Sequence, residues 1–79
     1  MDYRIRLKQL REDRDLSQEQ VAKIIGRSKR SYNDIENGTA KLRISELIML
    51  CEYYKVSADY LIGMTDDPEN GESSAQAKR

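Results

Sequence analysis

Residues 16–38 read Leu-Ser-Gln-Glu-Gln-Val-Ala-Lys-Ile-Ile-Gly-Arg-Ser-Lys-Arg-Ser-Tyr-Asn-Asp-Ile-Glu-Asn-Gly. Two short helical patterns lie in this stretch, divided by one glycine. The first puts Val21, Ala22 and Ile25 on a single face. The second puts Tyr32, Ile35 and Glu36 on one face and Lys29, Arg30 and Asn33 on another. Each pattern begins at a serine whose hydroxyl can accept from a free N–H of the first helical turn. After Ser17, Gln20 stands where a capping box needs an amide or carboxylate to reach back. Gly26 supplies the left-handed conformation that ends the first helix without steric cost. Asn37-Gly38 ends the second in the same way. The stretch therefore predicts a helix, a tight turn and a second helix with a basic, amide-rich outer side.

The same periodicity extends outward from this pair. Tyr3, Leu7 and Leu10 follow i, i+4, i+7, with Arg11 on the same face, and that helix ends at Asp15-Leu16. Leu47, Leu50, Cys51 and Tyr54 mark a fourth helix that starts between Arg43 and Ser45. Ser57 caps a short fifth helix carrying Tyr60 and Leu61, which Gly63 stops. No strand pattern and no internal repeat is present. The expected fold is all-α, a compact bundle of about five short helices. The expected core is Leu7, Leu10, Leu16, Val21, Ala22, Ile25, Tyr32, Ile35, Leu47, Leu50, Cys51, Tyr54, Val56, Tyr60 and Leu61. Residues 1–65 are expected to form the folded domain. Residues 66–79 are expected to be a flexible polar tail, because their side chains bury too little apolar area to offset ordering entropy.

Composition bounds the chemistry. The 79 residues include one cysteine, Cys51, and no histidine, so an internal disulfide, a histidine triad and a histidine-containing zinc site are excluded. Cys51 reads as a small core hydrophobe, not a reactive thiol. No apolar run approaches a membrane span and the N-terminus lacks a signal-peptide core, so a cytoplasmic location is expected. An enzyme is disfavoured, and no metal or cofactor is expected. The formal net charge is zero, but it is unevenly placed: +2 over residues 1–65, −2 over 66–79, and +3 between Gly26 and Arg43. A local basic patch, not the global balance, is what attracts phosphates.

Leu10-Arg11, Leu16-Ser17-Gln18, Val21-Ala22, Ile25-Gly26, Ser28, Ile35-Glu36-Asn37-Gly38, Leu47 and Val56-Ser57 through Tyr60-Leu61 occur together in register. In these residues the chain resembles the phage repressor/Cro-type helix-turn-helix regulators, also called the xenobiotic-response-element family of bacteria. The resemblance covers residues 3–63 or so and implies a lambda-repressor-like fold. It implies that Lys29, Arg30, Asn33 and Asp34 read bases. It implies that Gln18, Asn37, Thr39 and Lys41 meet phosphates, with Gln18 also bracing the recognition helix. Arg11 and Glu36 match a pair that ties the first helix to the third. Side-chain chemistry agrees with these roles. Arg and Lys pair with guanine O6 and N7, Asn with adenine N6 and N7, and Asp accepts from cytosine N4. The helix N-terminus at Ser28 offers free N–H groups to the DNA backbone.

Two positions depart from the family pattern. Arg27 stands where an apolar residue usually packs the turn. Either its methylenes cover the turn while its charge reaches a phosphate, or the turn packs differently. Leu42-Arg43 replaces the usual proline and capping hydroxyl before helix four.

Tyr53, Ile62 and Met64 fall off the core faces, with Tyr60 shared. They read as scattered surface residues or as the edge of a homodimer patch. The functional expectation is a sequence-specific binder of double-stranded DNA, a repressor acting as a homodimer on a near-palindromic operator, the dimer forming either in the free protein or only on DNA. The alternatives are an antitoxin, a restriction–modification controller, or, in another class, a protein–protein adaptor bundle that does not bind DNA.

Overall fold

The computed structural model describes residues 1–68, which form α1 (Tyr3–Asp13), α2 (Gln18–Ile25), α3 (Lys29–Asn37), α4 (Ile44–Tyr54) and α5 (Ala58–Leu61). No strand occurs among the described residues.

Local chemistry sets the helix ends. Asp2 accepts from Arg4 N at 2.9 Å and caps α1. Asp15 takes a left-handed φ of 56° beyond its end. Ser17 and Gln20 close a reciprocal capping box, with Gln20 N to Ser17 Oγ at 3.1 Å and Ser17 N to Gln20 Oε1 at 2.8 Å. Gly26 adopts φ 75°. Arg27 N then donates to Ala22 O at 2.8 Å, which satisfies an orphan carbonyl of α2. Ser28 and Ser57 each accept a 3.1 Å bond from a first-turn N–H, of Ser31 and Tyr60 respectively.

The core runs through all five helices. Leu7, Leu10, Val21, Ala22, Ile25, Tyr32, Ile35, Leu50, Tyr54 and Leu61 are buried. All ten lie at expected core positions. The other five expected members, Leu16, Leu47, Cys51, Val56 and Tyr60, pack against this cluster while partly exposed. Cys51 is half-buried, and burial, with Glu52 nearby, pushes its thiol pKa up. α2 packs most extensively on α3, and α3 also touches α1. Tyr32 and Ile35 are fully buried, so α3 is held by its inner side and presents its outer side freely.

Two buried charges stand at positions that the expected core leaves out. Arg6 is 2% exposed and Glu46 is 3% exposed. Arg6 lies under the chain that follows α5. Its Nη1 donates to Tyr60 O at 2.8 Å and its Nη2 to Asp66 Oδ1 at 3.1 Å. The guanidinium also sits 3.8 Å from the centroid of the Tyr60 ring, close enough for a cation–π contact. Ser57 N donates to Pro68 O at 2.8 Å. Contacts with the body thus continue past the expected domain boundary at residue 65, because the buried guanidinium of Arg6 and the N-cap N–H of α5 both need acceptors. The remainder of the expected tail, residues 69–79, lies outside the described residues.

Candidate nucleic-acid interface

α3 brings its polar residues to one side of the molecule. Lys29 and Arg30 are exposed, and Asn33 and Asp34 are half-buried. Together with Gln18 from the start of α2 they line one open concavity. The four residues expected to read bases and the glutamine expected beside them are therefore neighbours in space. Among the described residues no ion pair holds Lys29, Arg30 or Lys41. Their charges remain available to a partner. Asn37 is the exposed last residue of α3, and Thr39 and Lys41 follow on the exposed loop that leaves it. Thr39 donates through both its N–H and its hydroxyl to Asp34 O, at 2.9 and 3.3 Å, which folds the loop back against the helix end.

Beneath this face lies a buried network. Arg11 Nε donates to Glu36 Oε2 at 2.8 Å and Arg11 Nη2 to Glu36 Oε1 at 3.1 Å, the paired geometry that suits a guanidinium and a carboxylate. Arg11 Nη1 also donates to Leu16 O at 3.1 Å. Gln18 Nε2 donates to Glu36 Oε1 at 3.1 Å, so the glutamine amide is oriented by the same carboxylate. α1, the start of α2 and α3 are tied at one point. Burial works against the Glu36 carboxylate. Arg11, Tyr32 and Gln18 outweigh it and hold the group below the usual glutamate range.

Arg27 is placed differently from its expected reach toward a phosphate. Its Nε donates to Glu46 Oε2 at 2.6 Å and its Nη2 to Glu46 Oε1 at 3.1 Å. Its Nη1 donates to Ser31 Oγ at 2.6 Å and its Nη2 to Lys41 O at 3.1 Å. The guanidinium is committed to the protein because Glu46, nearly excluded from water, needs a cation. The turn packs by an ion pair where the family pattern has an apolar residue. Glu46 Oε1 also accepts from Arg43 N at 2.9 Å. It thereby supplies the carboxylate half of a capping box, while the Arg43 side chain makes no capping hydrogen bond in place of the missing hydroxyl. Burial raises the Glu46 pKa, but Arg27 and the Arg43 N–H outweigh it and leave the pKa below the usual range. The signal for Glu46 was present in the sequence: it stands four residues before Leu50, on the buried side of α4.

An α-helical bundle whose second and third helices meet at a left-handed glycine, with a free polar face on the third, defines a helix-turn-helix protein. The helix-turn-helix family profile matches residues 7–61, and the chain belongs to that family, of the xenobiotic-response-element type. It is 43% identical over 67 residues to an uncharacterized HTH-type transcriptional regulator, YobD, of Bacillus subtilis (strain 168), a match spanning 85% of this chain and 60% of that protein. Its fold is similar to the crystal structure of a transcriptional regulator from Listeria innocua, with a TM-score of 0.76 and 27% identity over 78% of this chain and 58% of the other. The chain thus spans only about three fifths of the length of either relative. No helix among the described residues is long and apolar enough to cross a membrane.

Proposed function

We propose that the chain binds double-stranded DNA in a sequence-specific way and regulates transcription, acting as a repressor by occupying its site. The observation that carries this reading is the convergence of Gln18, Lys29, Arg30, Asn33 and Asp34 on one concavity, on the free side of a helix whose other side is fully buried. Lys29, Arg30, Asn33 and Asp34 read base edges in the major groove. Gln18, the N–H groups beyond Ser28, Asn37, Thr39 and Lys41 meet the phosphates on either side. Arg27 acts from within, by fixing the start of α3 and the Lys41 carbonyl together.

Selection from a pool of random duplexes tests this reading. Enrichment of one sequence is expected. Arg30→Ala is then expected to cost about 1–3 kcal/mol on the selected site and to relax preference at one position. Equal losses on selected and random DNA would make Arg30 a phosphate contact. No enrichment, with binding insensitive to salt, would favour a protein–protein adaptor.

The active unit is proposed to be a symmetric homodimer on a near-palindromic site, with recognition helices about 34 Å apart. Among the residues expected at the interface, Tyr53, Ile62 and Met64 are exposed, and Tyr60 is half-buried with its ring against the guanidinium of Arg6. Ile62 also lines an apolar groove with Tyr3, Leu42, Ile44 and Leu47, and Ile44 is 70% exposed. This groove adjoins the loop proposed to meet phosphates and supports an interface centred on Ile44 and Ile62. Ile44→Asp is expected to lower the mass of the complex on a selected full site by one chain, 9.2 kDa, measured by light scattering. Tight one-to-one binding of the unaltered chain to a half-site would overturn the dimer.

A further inference from the structure

We infer that Arg4 and Lys41 form a further anion site that takes a DNA backbone phosphate beside the C-terminal end of α3, and that Asp2 holds Arg4 until the phosphate displaces it. This rests on the DNA-binding reading above. Arg4 belongs to α1, far from α3 in sequence, yet its guanidinium lies directly against Gly38 where α3 ends. A Cβ on Gly38 would overlap Arg4 Nη1, so the guanidinium occupies space that a side chain at that point would take, and would have to swing aside for it. Asp2, Arg4, Gly38, Ala40 and Lys41 line one open concavity. Among the described residues Asp2 is the single acidic group in its lining.

The Asp2–Arg4 geometry shows what the site accepts. Arg4 Nε donates to Oδ1 and Oδ2 at 2.9 and 3.1 Å, and Arg4 Nη2 donates to Oδ2 at 2.5 Å. A phosphate presents the same pair of oxygens to a guanidinium. The other arginines with acidic partners are committed: Arg6 is itself buried, and Arg11 and Arg27 hold buried carboxylates. Arg4 and Asp2 instead keep 40% and 36% of their side-chain surface in water. An exposed pair contributes little to stability, so exchanging its carboxylate for a phosphate costs little. Asp2 also accepts from Arg4 N as the cap of α1. It therefore stays in place when Arg4 leaves it. The neighbouring Arg4 holds the Asp2 carboxyl down to about 2, so at neutral pH the competitor is always ionised.

The test uses the full chain and a labelled random-sequence duplex, with affinity measured by fluorescence anisotropy over a salt series. Circular dichroism checks that each variant keeps its helices. Arg4→Gln is expected to reduce the slope of log K against log salt by about 0.9 per bound copy. Its deficit relative to the unaltered chain then shrinks about 3.5-fold between roughly 50 and 200 mM salt. Asp2→Asn keeps a capping oxygen and is expected to tighten binding. That gain is expected to vanish in the Arg4→Gln background. Lys55→Gln, at the opposite end of α4 from the loop, is expected to leave the slope unchanged. An unchanged slope in Arg4→Gln, while the unaltered chain still binds the duplex with a steep salt dependence, overturns the anion site and leaves the DNA reading standing. A gain from Asp2→Asn that persists in full without Arg4 overturns the displacement. Salt-insensitive binding by the unaltered chain overturns the DNA reading itself and the anion site with it.

Discussion

Glu36→Ala is expected to destabilise the protein by about 3 kcal/mol, since removing one member of a buried pair leaves the other charge uncompensated. Arg11 and Glu36 keep only 12% and 4% of their side-chain surface in water. With the carboxylate gone, Arg11 retains only the Leu16 carbonyl as an acceptor. Gln18 loses the acceptor that orients its amide. Urea denaturation followed by circular dichroism would measure the loss. A change of a few tenths of a kcal/mol, the range of exposed pairs, would show that the network is not a structural tie. Arg11→Met with Glu36→Leu, an apolar replacement of both partners, is expected to recover much of the loss. DNA affinity need not recover with it, because Gln18 would still lack its brace.

Glu46→Ala is expected to cost about 3 kcal/mol as well, from two sources of different kind. Arg27 loses its carboxylate, and the Arg43 N–H at the start of α4 loses its acceptor. Glu46→Gln keeps an acceptor for that N–H but not the charge, and is expected to fall between the two. Acid unfolding supplies an independent check. Both Glu36 and Glu46 are held below the ordinary glutamate value of 4.5 in the folded chain. The folded state then binds fewer protons than the unfolded state, so the stability these groups contribute is complete above the ordinary value. It is lost as pH falls from there through the depressed folded-state values. The paired variant Glu36→Gln with Glu46→Gln is expected to be less stable at neutral pH and to show a flatter acid limb. An unchanged acid limb would mean that other carboxylates govern acid unfolding.

Much of this architecture is legible along the chain because its causes are local. Ser17, Gln20, Gly26 and Ser28 act within one helical turn of themselves, so their spacing alone sets where α2 and α3 begin and where the turn falls. The alternation of Val21, Ala22 and Ile25 with polar residues, and of Tyr32 and Ile35 with Lys29, Arg30 and Asn33, settles which sides face inward. That is why the outer residues of α3 could be named before their convergence with Gln18 was visible.

Partner choice is not local. Arg27 meets Glu46 nineteen residues away, and Arg6 meets Tyr60 and Asp66 across the whole bundle. A charge has the same hydropathy whether it ends in water, on a phosphate or in a buried pair. Only the position of the opposing element decides between those fates. The sequence by itself determined the helices, the serine caps of α2, α3 and α5, the inward faces and the polar side of α3, because each depends on interactions within a few residues. The tertiary structure alone decided that Arg27 braces α4 instead of reaching outward, that Arg6 gathers the chain beyond α5, and that Arg4 comes to rest on Gly38. Each of those outcomes depends on which distant group the packing brings within hydrogen-bonding or contact distance.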